Sequence, residues 1–209
     1  TFAPPMERTE AFERYPESTY TETLMLRYIK HKELHASKWM YKGRFVVLGD
    51  RVYLVSNGAM RRGGFGDLWA PVASLVGVRI VVGRALARRT KLYGIDVETA
   101  YLQVEYTATP VNFLQVDRSL FHTLPESWQR AAASMREPMF RMLRCLYGHP
   151  LSGYLFVTQL RATLACMGWT PSDGDPSVYY YDLHGPRACS IAVYVDDIVA
   201  EGEDSDLEE

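Results

Sequence analysis

The chain has 209 residues, a formal net charge of −2, and 47% hydrophobic and 12% aromatic residues. This composition excludes an intrinsically disordered protein and suffices for one large core or two modest ones. Glu201–Glu209 hold six carboxylates and no base, which leaves 23 bases and 19 acids in the other 200 residues. The body of the chain is therefore mildly basic, which is compatible with a phosphate-rich partner but does not identify one.

The three cysteines, Cys145, Cys166 and Cys189, form no C-x-x-C pair and leave an odd thiol under any pairing. No stretch of 18 consecutive apolar residues occurs, so no membrane span is predicted. These features favour an intracellular protein that does not bind a membrane. Because the chain starts at Thr1, we expect it to be a cleaved product or an internal fragment.

The first forty residues are polar, and Pro4, Pro5 and Pro16 interrupt any early regularity. We expect a variable N-terminal segment over residues 1–40, with one helix from about Thr21 to Ser37.

Two runs rich in β-branched and aromatic residues follow, Tyr41–Leu48 and Arg51–Val55. They flank Gly49-Asp50, and this arrangement predicts a hairpin with a turn at that pair.

Residues 58–67 contain four glycines beside Arg61 and Arg62, which predicts a flexible basic loop. Beyond Pro71, an apolar stretch predicts a substantially buried helix from Val72 to about Arg89.

Strands and helices then alternate irregularly, which favours an α+β fold with helices packed on one face of a mostly antiparallel sheet. The predicted strands are Lys91–Val97, Val111–Val116, Met139–Leu146, Ser177–Tyr181 and Ser190–Val195. A short turn or helix is predicted over Glu98–Gln103, and a long helix over Leu151–Met167.

Carboxylates end two of these strands. Asp96 closes the strand from Lys91, and Asp196-Asp197 are predicted as the two-residue turn of a hydrophobic hairpin that continues into Ile198–Ala200. Aspartate is an ordinary turn residue, so a purely structural role is open. Two strand-borne carboxylate sites can equally converge on one metal pocket, and the residues alone leave both interpretations open.

Several blocks agree in order and spacing with a known family, and the chain from about Tyr41 to Asp204 resembles the reverse transcriptase of copia-type long-terminal-repeat retrotransposons. Three blocks resemble its catalytic and template-and-nucleotide motifs: Asp96–Leu102, Leu146-Tyr147-Gly148 and Tyr194–Asp197. Others resemble its connecting segments: Trp69–Val72, Met167-Gly168-Trp169 and Asp175-Pro176-Ser177. An ordered set of this kind is more specific than any single motif.

The resemblance implies a right-hand polymerase fold over residues 41–204, with the thumb absent. Fingers are expected over roughly residues 20–90 with part of 115–150. The palm is expected as four or so antiparallel strands backed by two helices, and residues 205–209 as an acidic, solvated tail.

The resemblance also implies an RNA-directed DNA polymerase that adds dNTPs to a primer on an RNA or DNA template, in a cytoplasmic virus-like particle or in the nucleus. Asp96 and Asp196, helped by the backbone carbonyl of Val97, are expected to hold two Mg²⁺ or Mn²⁺ ions, and Asp197 to support them. Hard divalent cations prefer such oxygen ligands.

Nucleotide contacts implied by the resemblance come from Lys42, Arg44, Tyr101, Tyr147 and Gly148. Tyr101 is expected to act as a steric gate that leaves no room for a 2′-hydroxyl, and Lys42 and Arg44 to reach the triphosphate.

Arg61 and Arg62 are expected either to contact nucleic-acid phosphate or to be simply solvated. Two departures from the family pattern bear on template positioning. Leu48 stands where the family usually has a second base, and His149–Gly153 replace a usual Leu-Lys-Gln-Ala-Pro. A catalytically silent relic, a nucleic-acid-binding module and a structural module are the alternatives.

Overall fold

The computed structural model describes residues 1–56, 59–62, 68 and 70–203, with the backbone alone described at residues 56 and 59–62. The strands are β1 Phe2–Glu7, β2 Thr19–Lys30, β3 Met40–Ser56, β4 Ala59–Arg62, β5 Lys91–Asp96, β6 Asn112–Gln115, β7 Pro138–Met142, β8 Thr170–Pro171, β9 Val178–Tyr181, β10 Cys189–Tyr194 and β11 Asp197–Gly202. The α-helices are α1 Arg8–Arg14, α2 Leu75–Arg88, α3 Ala100–Gln103, α4 Glu126–Ala133 and α5 Pro150–Cys166. Short 3₁₀ helices span Ala36–Lys38 and Arg118–Thr123.

The chain forms two compact units, each with its own sheet, and is a mixed α+β protein. The first unit comprises Thr1–Leu68 and Tyr101–Ser152, and the second Trp69–Ala100 and Gly153–Glu209. Helix α2 lies in the same unit as β5, β10 and β11, whereas the sequence analysis assigned residues up to 90 to the fingers. No helix among the described residues is both long and apolar enough to cross a membrane.

The first unit contains a six-stranded sheet in the order β1-β7-β6-β2-β3-β4. All neighbours are antiparallel except β2 and β6, which run parallel. Its core includes Phe113, Leu114 and Phe140, whose side chains are fully buried.

A long two-stranded ribbon, β2–β3, replaces two predicted elements. The predicted helix Thr21–Ser37 is wrong, because Thr19–Lys30 pair with both β3 and β6. The predicted hairpin is also wrong, because β3 is one strand of 17 residues. Gly49 and Asp50 lie in an irregularity, since the pairing passes directly from Thr21↔Val52 to Thr23↔Val47.

Two glycines allow this ribbon to touch the segment after β7. A Cβ on Gly49 would collide with the carbonyl oxygen of Gly148, and one on Gly148 would collide with that of Val47. Gly148 also has a φ of 87°, a conformation that glycine adopts without steric cost. The Val47 amide donates to the Tyr147 carbonyl at 2.8 Å, so Tyr147 is held against β3.

The predicted basic loop is wrong over Ala59–Arg62, which form β4 and pair with β3. The remainder of that predicted loop, residues 58 and 63–67, lies outside the described residues. The side chains of Arg61 and Arg62 lie outside them as well, so their predicted contact with nucleic acid stays a prediction.

The second unit contains an antiparallel five-stranded sheet in the order β5-β11-β10-β9-β8. Val81 of α2 packs in a cluster with Ala192, whereas Leu164 of α5 packs in a cluster with Ile191. Adjacent strand residues point to opposite faces. One helix therefore covers each face, and the prediction that helices cover only one face is wrong for this sheet. The elements predicted from Lys91 onward are confirmed, with ends displaced by at most four residues.

Helix α2 begins after Ser74, whose side chain accepts from the Gly77 amide at 2.9 Å. Its predicted burial is only partly correct. Gly77, Val81 and Ala85 form a buried stripe at four-residue spacing, but Leu75 and Leu86 are 65% and 74% exposed. The reason is that a helix on one face of a sheet buries one stripe, however apolar its circumference.

Two glycines of α2 give a matched pair of substitutions. A Cβ on Gly77 would lie 2.5 Å from Asp175 Oδ2, whereas one on Gly83 would meet nothing within 4 Å. We expect Gly83→Ala to raise the free energy of unfolding by about 0.5–1 kcal/mol through helix propensity. Gly77→Ala should lower it by about 1–3 kcal/mol through overpacking. Urea denaturation measures both, and equal effects would contradict the packing of α2 on Asp175.

Candidate active site

Asp96, Asp196 and Asp197 lie at one end of the β5–β11 ladder in the second unit. Asp96 is the register partner of Asp197, and the amide of Val97 donates to the carbonyl oxygen of Asp196 at 2.8 Å. Asp96 and Asp197 are exposed, and Asp196 is half-buried. Strand pairing thus brings together all the residues predicted as catalytic or metal-binding.

The turn between β10 and β11 consists of Val195 and Asp196, one residue earlier than predicted, because Tyr194 pairs with Asp197. Val195 has a φ of 57°, and Thr99, just after β5, has a φ of 52°. Glycine, asparagine and aspartate are the usual residues in such a conformation, and a β-branched residue there is strained. Turn preference therefore does not explain this hairpin, and strain of this kind is typical of functional sites.

Asp96 and Asp197 also repel each other. Residues directly opposite in an antiparallel pair share a face with Cβ atoms about 4.5–5.5 Å apart, and like charges there are destabilising. A divalent cation would offset that repulsion. The donor set, carboxylate oxygens open to solvent, is of the kind that Mg²⁺ and Mn²⁺ accept.

Within the part of the chain that the structure describes, no group of three or more His, Cys, Asp or Glu side chains is arranged to hold a metal ion. A closed cage is not what Mg²⁺ requires. In nucleotide-processing enzymes it is typically bound by one or two carboxylates and completed by water and substrate phosphates. The exposed carboxylates of Asp96 and Asp197, opposite each other on β5 and β11, are oxygen donors of that kind.

A buried carboxylate lies at the other end of the same ladder. The side chain of Glu201, on β11, has no exposed surface. It accepts hydrogen bonds from Ser190 Oγ and Thr90 Oγ1, both at 2.8 Å, and from Arg84 Nε at 3.0 Å. Arg88 lies 3.4 Å away. Burial alone would raise the pKa of Glu201, but these hydrogen bonds outweigh it and hold the pKa below its ordinary value.

This network joins four elements. Its members come from β10, β11, the residue before β5, and α2, so it fixes how the three strands register. A slip of one residue would turn Asp96 and Asp197 to opposite faces. Sequence analysis missed Glu201 by counting it in the acidic C-terminal run. Strand alternation from Asp197 through Val199 was the available signal, since it places Glu201 on the same face.

A second carboxylate, Asp175, connects the start of α2 to the β10–β11 hairpin that contains Asp196. Asp175 accepts from the Ser74 amide at 2.9 Å and the Ser177 amide at 3.0 Å. Burial acts to raise its pKa, but these bonds hold the pKa below its usual value. The amide of Val193 donates to the Ser177 carbonyl at 2.9 Å. The strand that leads into Val195 is therefore anchored near Asp175.

Predicted nucleotide contacts form a cluster in the first unit. The Arg44 guanidinium lies 5.7 Å from the Tyr28 ring centroid and 5.8 Å from that of Tyr147. The rings of Tyr101 and Tyr147 are 4.8 Å apart. Lys42, two residues before Arg44, points to the same face of β3. A cation among aromatic rings is suited to a nucleotide, which carries both phosphates and a base.

The residues that depart from the family pattern after Gly148 hold the local turn. Ser152 Oγ donates to the Leu146 carbonyl at 2.7 Å and accepts from the Leu146 amide at 3.1 Å. His149 is buried and accepts from the Leu151 amide at 3.2 Å. Burial lowers the pKa of His149 to about 4, so its ring is neutral at physiological pH. These hydrogen bonds therefore hold an ordered Tyr147-Gly148 turn in this chain.

The chain belongs to the reverse transcriptase (RNA-dependent DNA polymerase) family, whose model matches residues 21–209. That match begins inside the segment predicted as variable.

Its curated relatives are Pol polyproteins of plant retrotransposons. It is 25% identical over 181 residues to the retrovirus-related Pol polyprotein from transposon RE2 of Arabidopsis thaliana, covering 81% of this chain and 11% of that protein. The corresponding protein from transposon RE1 of Arabidopsis thaliana is 24% identical over 188 residues, covering 85% of this chain and 12% of that protein. The one from transposon TNT 1-94 of Nicotiana tabacum is 20% identical over 176 residues, covering 81% and 12%. The resemblance to copia-type elements is confirmed, and the chain spans about a tenth of these relatives.

Replacing Glu201 tests the network. We expect Glu201→Gln to lower the free energy of unfolding at pH 7 by about 3 kcal/mol, since it leaves arginines without their buried partner. The folded-state pKa of Glu201 is depressed below 4.5, so its contribution is complete above about pH 4.5 and is lost as pH falls through that folded-state pKa. Denaturation at several pH values should show a shallower acid-side loss in the variant.

Glu203→Gln is the matched control, because Glu203 is exposed and lies two residues along the same chain. If both variants have the same stability, Glu201 does not hold the register of this sheet.

Proposed function

We propose that this chain carries the polymerase active site of an RNA-directed DNA polymerase. The reaction adds a dNTP to the 3′-hydroxyl of a primer annealed to an RNA or DNA template. One observation carries the proposal: in a member of this family, β-sheet register sets Asp96 directly opposite Asp197, with Asp196 hydrogen-bonded to Val97. The proposed setting is intracellular, in a cytoplasmic virus-like particle or in the nucleus.

Each carboxylate has a proposed role. Asp96 and Asp196, with the Val97 carbonyl, hold two Mg²⁺ or Mn²⁺ ions, and Asp197 supports their charge. When bound, such ions activate the primer hydroxyl and stabilise the leaving pyrophosphate. The chain's own contribution is to keep carboxylates that repel each other on one face of the ladder before any ligand arrives, so little reorganisation is needed.

The first unit supplies the proposed nucleotide contacts. Lys42 and Arg44 neutralise the triphosphate, and the ring of Tyr101 lies beneath the sugar. Tyr147 supports Tyr101, since their rings are in contact. Gly148 permits the close approach that holds Tyr147 on β3.

Metal binding tests the carboxylates independently of turnover. We expect Mn²⁺ to bind the wild-type chain and raise its melting temperature, with Asp96→Asn and Asp196→Asn removing both effects. Without metal, Asp96→Asn should raise the melting temperature slightly, because it removes the repulsion from Asp197. Electron paramagnetic resonance of free Mn²⁺ and thermal denaturation measure these outcomes. Asp173→Asn is the control, since Asp173 is an exposed aspartate of the same unit.

The same variants decide among the alternatives in a primer-extension assay with oligo(dT) on poly(rA). Asp196→Asn should reduce extension roughly 100-fold or more, the scale seen when one charge-stabilising group leaves an active site. Mn²⁺ binding without extension in the wild type would identify a silent relic. Absence of both would leave the carboxylates as turn residues, and an active Asp196→Asn would refute their proposed role.

Sugar selection tests Tyr101. We expect Tyr101→Val to accept ribonucleotides more readily, because the smaller side chain leaves room for a 2′-hydroxyl. Tyr101→Phe keeps the ring and should keep the discrimination. The measurement is the ratio of kcat/KM for dTTP and UTP, and an unchanged ratio in Tyr101→Val would remove Tyr101 from this role.

A further inference from the structure

The β2–β3 ribbon concentrates positive charge. Residues 24–48 contain six bases and one acid, Glu33, in a chain whose overall net charge is −2. Glu33 lies 3.8 Å from His31. Aromatic residues are interleaved with these bases, at Tyr28, Trp39 and Tyr41. A basic surface carrying exposed rings is the usual signature of a surface that binds single-stranded nucleic acid.

The two faces of this ribbon differ. Lys42 and Arg44 project from one face, where Arg44 meets Tyr147. Arg27 and Tyr41 project from the other, because they pair across the ladder with Gly43 and Ile29. Arg27 and Tyr41 therefore lie on the face opposite the side chains of Lys42 and Arg44.

An open cleft of about 490 Å³ runs along that second face, between the ribbon and the 3₁₀ helix Arg118–Thr123. Its lining includes Arg27 and His122, together with Lys42, whose side chain projects toward the opposite face, and contains no carboxylate. Gly43 faces Arg27 across the ladder and adds no side chain to the cleft floor. The charge of the cleft is therefore complementary to a polyanion.

Tyr41 supplies the stacking surface. It lines the cleft and is 80% exposed, more than any other large hydrophobic side chain in the described residues. Packing of the protein does not account for a ring in that position. Every base offers a face to stack on a ring, so such a site is tolerant of sequence.

We propose that this cleft binds an unpaired polynucleotide strand, with a base stacked on Tyr41 and a neighbouring phosphate on Arg27. The inference rests on the proposed function, since a polymerase of this class must hold the unpaired strand that it copies. A peptide of acidic character is the competing occupant. Such a peptide would use Arg27 but would gain less from the ring of Tyr41.

Fluorescence anisotropy of labelled 12-nucleotide oligo(U) and of a 12-base-pair duplex, titrated with the 209-residue chain, tests the cleft. The single strand should bind more tightly than the duplex. Tyr41→Ala should weaken oligo(U) binding about 5- to 150-fold with an unchanged salt slope, and Tyr41→Phe should bind like the wild type. Arg27→Ala should weaken binding and reduce the slope of log K against log salt by about 0.7.

Arg130→Ala is the control for charge, because Arg130 is an exposed base that pairs with Glu126 on its own helix. The proposal is overturned if Tyr41→Ala and Arg27→Ala bind like Arg130→Ala, if the duplex binds more tightly, or if an acidic peptide competes better than oligo(U). Asp96→Asn should bind oligo(U) normally. Failure of extension with intact cleft effects would therefore refute the proposed function alone, and normal extension without cleft effects would refute this inference alone.

Discussion

The buried carboxylate of Glu201 is the constraint on which the second unit depends. It is hydrogen-bonded by Ser190, Thr90 and Arg84, from three different segments, and its side chain is fully buried. Shifting β11 along its neighbours would leave the Glu201 carboxylate buried without its partners, which costs several kcal/mol in a low-dielectric interior. Only one register of the three strands is consequently stable. That register is also the one that sets Asp96 against Asp197.

The two ends of β11 therefore have opposite electrostatic states. At one end a carboxylate is neutralised by arginines. At the other, two carboxylates oppose each other, and neither forms an ion pair within the described residues. The hydrogen bonds of Glu201 fix the strand register and so keep Asp197 opposite Asp96 despite their repulsion. Asp175 adds a second restraint, because it accepts hydrogen bonds from Ser74, at the start of α2, and from Ser177, whose carbonyl oxygen accepts from Val193 of β10. The proposed polymerase site would use this combination, because its charge would be balanced only when ligands bind.

The sequence identified the family and placed most elements after Lys91, because short-range periodicity and motif order decide them. It also singled out three aspartates that the structure places at one end of the same ladder, and their catalytic role stays a prediction. It failed over residues 21–37, where β2 pairs with β3 and, at Thr19–Glu22, with β6, nearly a hundred residues away. The runs Tyr41–Leu48 and Arg51–Val55 are strand as predicted, but they belong to one strand and not to a hairpin. Glu201 was missed for a similar reason. Its partner Arg84 is 117 residues distant, and nothing near Glu201 in the chain shows that its charge is matched.

The strained residues beside the carboxylates have a further consequence. Val195 and Thr99 hold backbone angles that glycine adopts freely, at a cost on the order of 1–3 kcal/mol each. Val195 and Thr99 would be early targets for substitutions that raise thermal stability, because relieving backbone strain is a simple way to stabilise a fold. A substitution that relieved this strain would change the backbone of the turns that position Asp196 and Asp96. Heat resistance and the proposed catalytic activity are thus opposing design goals at these two positions.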